Sequence, residues 1–191
     1  MRRLVTALLI GLTVATTVSF GAVLGETFML YPNIFHDPPR SLVLAREFMV
    51  EGSPSDFFPP LGFLIILTGT VTVLSTWRSK AIRWYVLGAA LAYLCFELLF
   101  SMVWFWPRNE IMFVDPVGTH SAEFLRATAR EFVAGHWARV AGGALTAGLL
   151  FTALIRWLCS PGRSPGRSSD SAGVTAVERD RRTAAAREQA P

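Results

Sequence analysis

The chain has 191 residues, of which 52% are hydrophobic and 17% charged, with 18 Lys and Arg against 14 Asp and Glu. By length this is one domain, and by composition it is not one that folds in water. The net charge of +4 calls for no nucleic-acid partner, because the cations gather in one short loop and in the C-terminal tail.

Arg2 and Arg3 precede a run without Asp, Glu, Lys or Arg that lasts until Glu26. A bilayer core of about 30 Å takes about 20 apolar residues at ~1.5 Å each. The first predicted span therefore covers about 4–28. The run is longer than the ~7–15 residues of a signal-peptide core, and Ser19 and Gly21 make a poor cleavage site, so a retained span is expected. Gly21 and Gly25, four apart near its outer end, are spaced for close helix approach.

The following loop reads "YPNIFHDPPRSLVLAREFMVEGSPSDFFPP". Pro38 and Pro39 stiffen it, and "SLVLAREFMV" suits a short interfacial helix. Pro59 and Pro60 open the second span, about 57–77. Thr68, Thr72, Ser75 and Thr76 share one face of it, where hydroxyls can bond the carbonyls one turn back without any ligand.

The short loop "RSKAIR" leads into the third span, about 84–106, closed by Pro107. Trp104 and Trp106 mark the outer interface, and Trp77 and Trp84 the inner one. Beyond another loop, Ser121 is placed to cap a long helix. Leu125, Ala129, Phe132 and His136 fall on one stripe of it at helical spacing. Its apolar part, about 138–158, is bracketed by Arg139 and Arg156, whose long stems can snorkel. Gly143, Ala144, Ala147 and Gly148 there suit tight helix contact.

From 160 to 191 the hydrophobicity is lost, and such a segment cannot bury enough apolar area to offset its ordering entropy. The expected architecture is all-α: an integral membrane four-helix bundle over 1–159 and a disordered cytoplasmic tail. With the N-terminus inside, twelve of the 18 basic residues lie on the inner side. The positive-inside rule then sets both termini in the cytoplasm and the protein in the cell membrane as a multi-pass chain. Cys95 and Cys159 form no C-x-x-C pair, which leaves a thiol-oxidoreductase without its redox couple.

Ionisable residues within the spans are the candidates for function. Glu97 is the only charge between Arg83 and Arg108. It lies about 21 Å from the inner edge at ~1.5 Å per residue, past the midplane. Tyr93, Glu97, Ser101, Trp104 and Arg108 form one helical stripe, read as facing the bundle interior. Glu26 ends the first span at the same height. The plainer alternative is that Glu97 bonds a neighbouring helix and fixes its register. His36, His120 and His136 all fall on the outer side, so a bis-histidine haem within the bundle is not expected. No spacing supports a metal site from His36, Asp37, His120 and His136, and no cofactor is called for. Singly, Asn109 suits a helix-end turn and Arg139 a headgroup anchor.

The tract "WFWPRNEIMF" and the later "GHWARVAGGALTAGLLFTAL" together resemble the small four-span bacterial membrane proteins related to anthrone oxygenases. That family shows Pro-x-Asn at the end of its third span, matched by Pro107 and Asn109. It shows a Trp/Asn-His-type cluster followed by Arg at the mouth of its fourth, matched loosely by His136, Trp137 and Arg139. "GETF" before "YPNIFHDPP" also looks like relatives with an acidic residue there. The likeness covers roughly residues 5–158, and this chain departs from Asn-His-x-Arg by offering Gly135-His136-Trp137-Ala138-Arg139. The resemblance implies oxygenation of an activated aromatic such as an anthrone, without metal or flavin. A base, an oxyanion stabiliser and a dry aromatic pocket would be needed. His136 or Glu97 would be the base, and Arg139 and Asn109 would hold the oxyanion. Trp104, Trp106 and Trp137 would wall the pocket, with Glu26 among the substrate-binding residues.

Two other classes remain open. A proton-coupled exporter also has four spans and a membrane carboxylate, though with short loops and the carboxylate in its first span. A non-catalytic membrane subunit would use the small-residue faces to dock a partner. The partners expected are membrane lipid and a small hydrophobic substrate, with a homo-oligomer compatible with those same faces.

Overall fold

The computed structural model describes residues 2–160, and the predicted disordered tail, Ser160 apart, lies outside the described residues. Among the described residues five helices make up the fold: α1 (Arg2–Ile34), α2 (Arg40–Phe48), α3 (Pro54–Thr76), α4 (Arg83–Val114) and α5 (Ala122–Cys159). All but α2 are long and apolar enough to cross a membrane. They form a ring in which α1 packs on α3, α3 on α4, α4 on α5 and α5 back on α1. Up-and-down neighbours joined in this way make a four-helix bundle.

Local chemistry explains the helix starts. Ser53 and Asp56 form a reciprocal capping box, with the Ser53 amide donating to Asp56 Oδ2 at 2.9 Å and the Asp56 amide donating to the Ser53 side chain. That satisfies two of the amides a helix start leaves unpaired. With Pro54 at the first helical position, α3 starts three residues ahead of the expected start, and Pro59 and Pro60 lie within it. Ser121 caps α5 as read, accepting the Phe124 amide on its hydroxyl at 3.2 Å. The α3 hydroxyls behave as expected, Thr72 donating to Thr68 O and Thr76 to Thr72 O, both at 2.7 Å.

Two helices run further than the sequence suggests. α1 continues past Phe28 through Pro32 to Ile34, and α4 continues through Pro107 to Val114. In both, a π-turn immediately precedes the proline: Glu26–Leu30 before Pro32, and Ser101–Phe105 before Pro107. A proline removes a donor and pushes on the carbonyl four residues back. Widening that turn to i→i+5 bonding lets the helix carry on instead of ending. α4 holds two more π-turns, Tyr93–Leu99 and Glu110–Val114.

The extended ends are packed together by α2 at the end of the bundle termed outer, opposite the inner end at Arg2 and Cys159. Tyr31, Ile34, Leu42, Ala45, Phe105, Met112, Leu125, Ala129 and Phe132 form one buried cluster there. Arg46 of α2 donates to the carbonyls of Met112 and Asp115 at 2.7 and 2.8 Å, closing the C-terminus of α4. A cation at that end also meets the negative pole of the helix dipole.

Close approach falls on only some of the small residues expected. Gly21 and Gly25 have open space where a side chain would stand, and Ala144 and Gly148 face outward. Gly143 packs against Phe20 and Ala147 is buried, as expected, while Gly135 and Gly142 add contacts against Trp104 and Phe96.

Candidate functional site

The π-turns decide which side chains of α4 look inward. Up to Ser101 the predicted stripe is present, with Tyr93, Glu97 and Ser101 bordering a cavity of about 440 Å³ between the outer halves of the helices. Beyond Ser101 the widened turn shifts the phase by one residue. Phe105 and Asn109 then border the cavity in place of Trp104 and Arg108. Trp104 and Arg108 turn onto α5, where Arg108 Nη2 meets Glu131 Oε2 at 2.7 Å. The Arg108 guanidinium also stacks 3.8 Å from the Trp104 ring, whose Nε1 donates to Glu131 O at 3.3 Å.

Three ionisable side chains from three helices meet at the cavity wall, with a fourth directly behind them. Glu26 comes from the π-turn of α1, Glu97 from α4, and His136 and Arg139 from adjacent turns of α5; all are buried. Arg139 donates from Nε and Nη2 to Glu97 Oε2 at 3.1 and 3.0 Å. Its guanidinium lies between the rings of Phe58 and Phe105, 5.1 and 5.3 Å from their centroids. Charge-assisted bonds and two aromatic faces together hold this cation in one orientation.

Glu26 is placed differently. Its Oε2 is 4.0 Å from Arg139 Nη1 and 3.8 Å from His136 Nε2, too far for a hydrogen bond to either. Both its carboxylate oxygens are buried with the Tyr31 hydroxyl as the one neighbouring donor, and its side chain borders the cavity. A buried polar atom left unpaired costs about 1–3 kcal/mol, more when charged. The Ser101 hydroxyl is also buried and unpartnered.

His136 is 1% exposed and stands behind Glu26, not on the cavity wall. Its Nε2 lies 3.3 Å from Val23 O, which assigns the proton to that nitrogen. Nδ1 is buried without a partner. Tyr31 packs edge-on to its ring at 4.7 Å, with Phe105 and Phe132 on other sides.

The tryptophan expectations need correction. Trp106 borders the cavity at its mouth, 56% exposed, beside Phe63 of α3. Trp104 does not, for the reason of helix phase given above. Trp137 is 50% exposed and packs edge-on against Phe28 on the outer surface. It follows His136 by one position, and neighbours on a helix point about 100° apart. The aromatic wall is built instead from Tyr31, Phe58, Phe105 and Phe132. Tyr31 is five positions past Glu26, a spacing that shares a face only across a π-turn. Phe132 lies on the α5 stripe that was visible in the sequence.

Among the described residues no group of three or more His, Cys, Asp or Glu side chains is placed to hold a metal ion. His36 binds Asn33 O at 2.6 Å and His120 binds Asp115 Oδ2 at 2.6 Å, each on its own local partner. No protein-family model, curated protein or solved structure matches this chain. The arrangement by itself offers an aromatic-walled cavity, a fixed guanidinium and a free carboxylate.

Proposed function

We propose that this multi-pass membrane protein binds a small aromatic molecule with an acidic C–H and removes that proton, as a first step toward cofactor-independent oxygenation. The observation that carries the reading is Glu26: a buried carboxylate, bordering the cavity, bonded to neither Arg139 nor His136 and with only the Tyr31 hydroxyl beside it. A base needs a free lone pair within reach of the proton it takes. Glu97 has its Oε2 engaged by Arg139, and His136 is behind the wall. The base therefore moves from His136 or Glu97, as the resemblance implies, to Glu26.

Arg139 supplies the complementary charge. As the C–H proton passes to Glu26, negative charge grows on the substrate's conjugated oxygen, and a guanidinium held in advance stabilises it without reorganising. Glu97 acts through Arg139 as a positioning residue. The resemblance to anthrone oxygenases supplies the second step, addition of dioxygen to the carbanion and loss of water from the resulting hydroperoxide. One methylene then becomes one carbonyl, with one dioxygen consumed and one water released. Asn109 and Trp106, both on the cavity border, would hold the substrate at the mouth.

The basic-residue asymmetry supports both termini on the cytoplasmic face of the cell membrane and the cavity toward the outer leaflet. The test is dioxygen uptake and quinone formation from anthrone by protein in lipid nanodiscs. Glu26→Gln is expected to slow both by about 10²-fold or more, whereas undiminished turnover in that variant would overturn the assignment. Proton-driven cation efflux from vesicles, abolished by Glu97→Gln, would place the chain with transporters instead.

A further inference from the structure

Below the charged cavity lies a second, smaller one of a different character. It has a volume of about 160 Å³ and is bordered by Leu12, Ile65, Gly69, Ala89 and Leu150 among others, with no charged residue. Its three threonines contribute little polarity. Thr16, Thr70 and Thr146 each donate to the carbonyl one turn back, at 2.9, 2.8 and 2.9 Å. The cavity opens on the bundle surface at Leu74, which is 72% exposed, and its volume has room for a guest of about six carbons, the size of benzene.

The two cavities share a wall. Ile66 and Tyr93 border both, so these two side chains alone stand between the polar cavity and the apolar one. The inner cavity extends along α3 from Ile65 to Leu74, about 14 Å at 1.5 Å per residue. Of the residues that border the two cavities, those with orphaned atoms, Glu26 and Ser101, lie at one end, with Arg139 beside them. One end can thus satisfy a polar head, and the other can hold only hydrocarbon.

Resting on the reading of the outer cavity as a substrate site, we infer that the substrate is amphipathic: an acidic or phenolic aromatic head with an alkyl or prenyl tail of about six carbons in the inner cavity. Head and tail are sorted by polarity, so the molecule binds in one direction. Gly69 makes the room for the tail. A Cβ there would meet only Leu12 Cδ1 at 3.8 Å, an ordinary contact, so a larger side chain fills the cavity rather than breaking the helix packing.

The test uses a 2-naphthol carrying a six-carbon chain with a terminal diazirine, irradiated with the full chain in nanodiscs and mapped by mass spectrometry. Label is expected in segments 65–74 and 89–94. Gly69→Leu, and separately Ala90→Leu at the half-buried edge of the cavity, are expected to cut labelling there about tenfold. Binding of untailed 2-naphthol, read by its fluorescence, is expected to be unchanged in both. Label spread over lipid-facing residues without concentration in those segments overturns the inference. So does equal labelling there by a phosphatidylcholine bearing the diazirine, undisplaced by the naphthol, which would make the cavity a bilayer-lipid site. The assay involves no turnover, so a failure of the oxygenation reading leaves its outcome intact.

Discussion

The inner and outer halves of the bundle keep their polar groups by different means. In the inner half and toward the midplane, Thr13, Thr16, Thr72, Thr76 and Thr146 are buried, and each hydroxyl donates to the carbonyl one turn back. A hydroxyl carries its own donor, so the helix satisfies it before any neighbour arrives. The outer half holds Glu26, Glu97, His136 and Arg139. A carboxylate finds no free amide donor within a helix and depends on another element. Glu97 obtains a charged one in Arg139; Glu26 has only the Tyr31 hydroxyl beside it. The lesson is that a polar group inside a membrane bundle is informative in proportion to how far it must reach for a partner.

Breaking the outer arrangement at its centre has the largest expected effect. Arg139→Leu leaves two carboxylates buried together without their cation, and losing one partner of a buried pair costs about 3–5 kcal/mol. Thermal unfolding in mild detergent measures it, and a loss below about 1 kcal/mol would dissolve the contrast between the halves. The two carboxylates then sharpen it. Glu97→Gln is expected to cost about 1.5–3 kcal/mol for its charged hydrogen bonds. Glu26→Gln, with no such bonds to lose, is expected to leave stability unchanged or raised. Equal losses in the same assay would show that Glu26 is held after all.

Packing across the midplane gives a third comparison. A side chain at Gly142 runs into Phe96, so Gly142→Ala is expected to cost about 1–3 kcal/mol, as overpacking does. Gly148→Ala meets open space and is expected to be neutral or to gain up to about 1 kcal/mol in helix propensity. The smallest effect belongs to the inner hydroxyls. Thr72→Val is expected to stay within about 1 kcal/mol of the parent, since a bond made within one helix is present before the bundle packs. A larger loss would mean that these hydroxyls reach across to neighbours.

Much of the site was legible because charge is scarce. Glu26, Glu97 and Arg139 stood out as ionisable residues at one height, and His136 lay on a visible stripe; the structure brings all four together. The aromatic wall was not legible. Trp104 and Trp137 drew attention as tryptophans, yet one is turned onto α5 by a π-turn and the other faces outward beside Phe28. Phe58, Phe105 and Tyr31 took the wall, and nothing in their local sequence separates them from other apolar positions.

The sequence by itself determined the four spans, the capping of α5 by Ser121 and the self-bonding of the α3 hydroxyls. Partition into lipid is a sum over about 20 residues, and capping or back-bonding involves neighbours within one turn. Only the tertiary structure decided that α1 and α4 pass their prolines, and which side chains beyond Ser101 face the cavity. One residue added to a turn rotates everything after it, and packing against α2 and α5, not local propensity, holds that added residue in place.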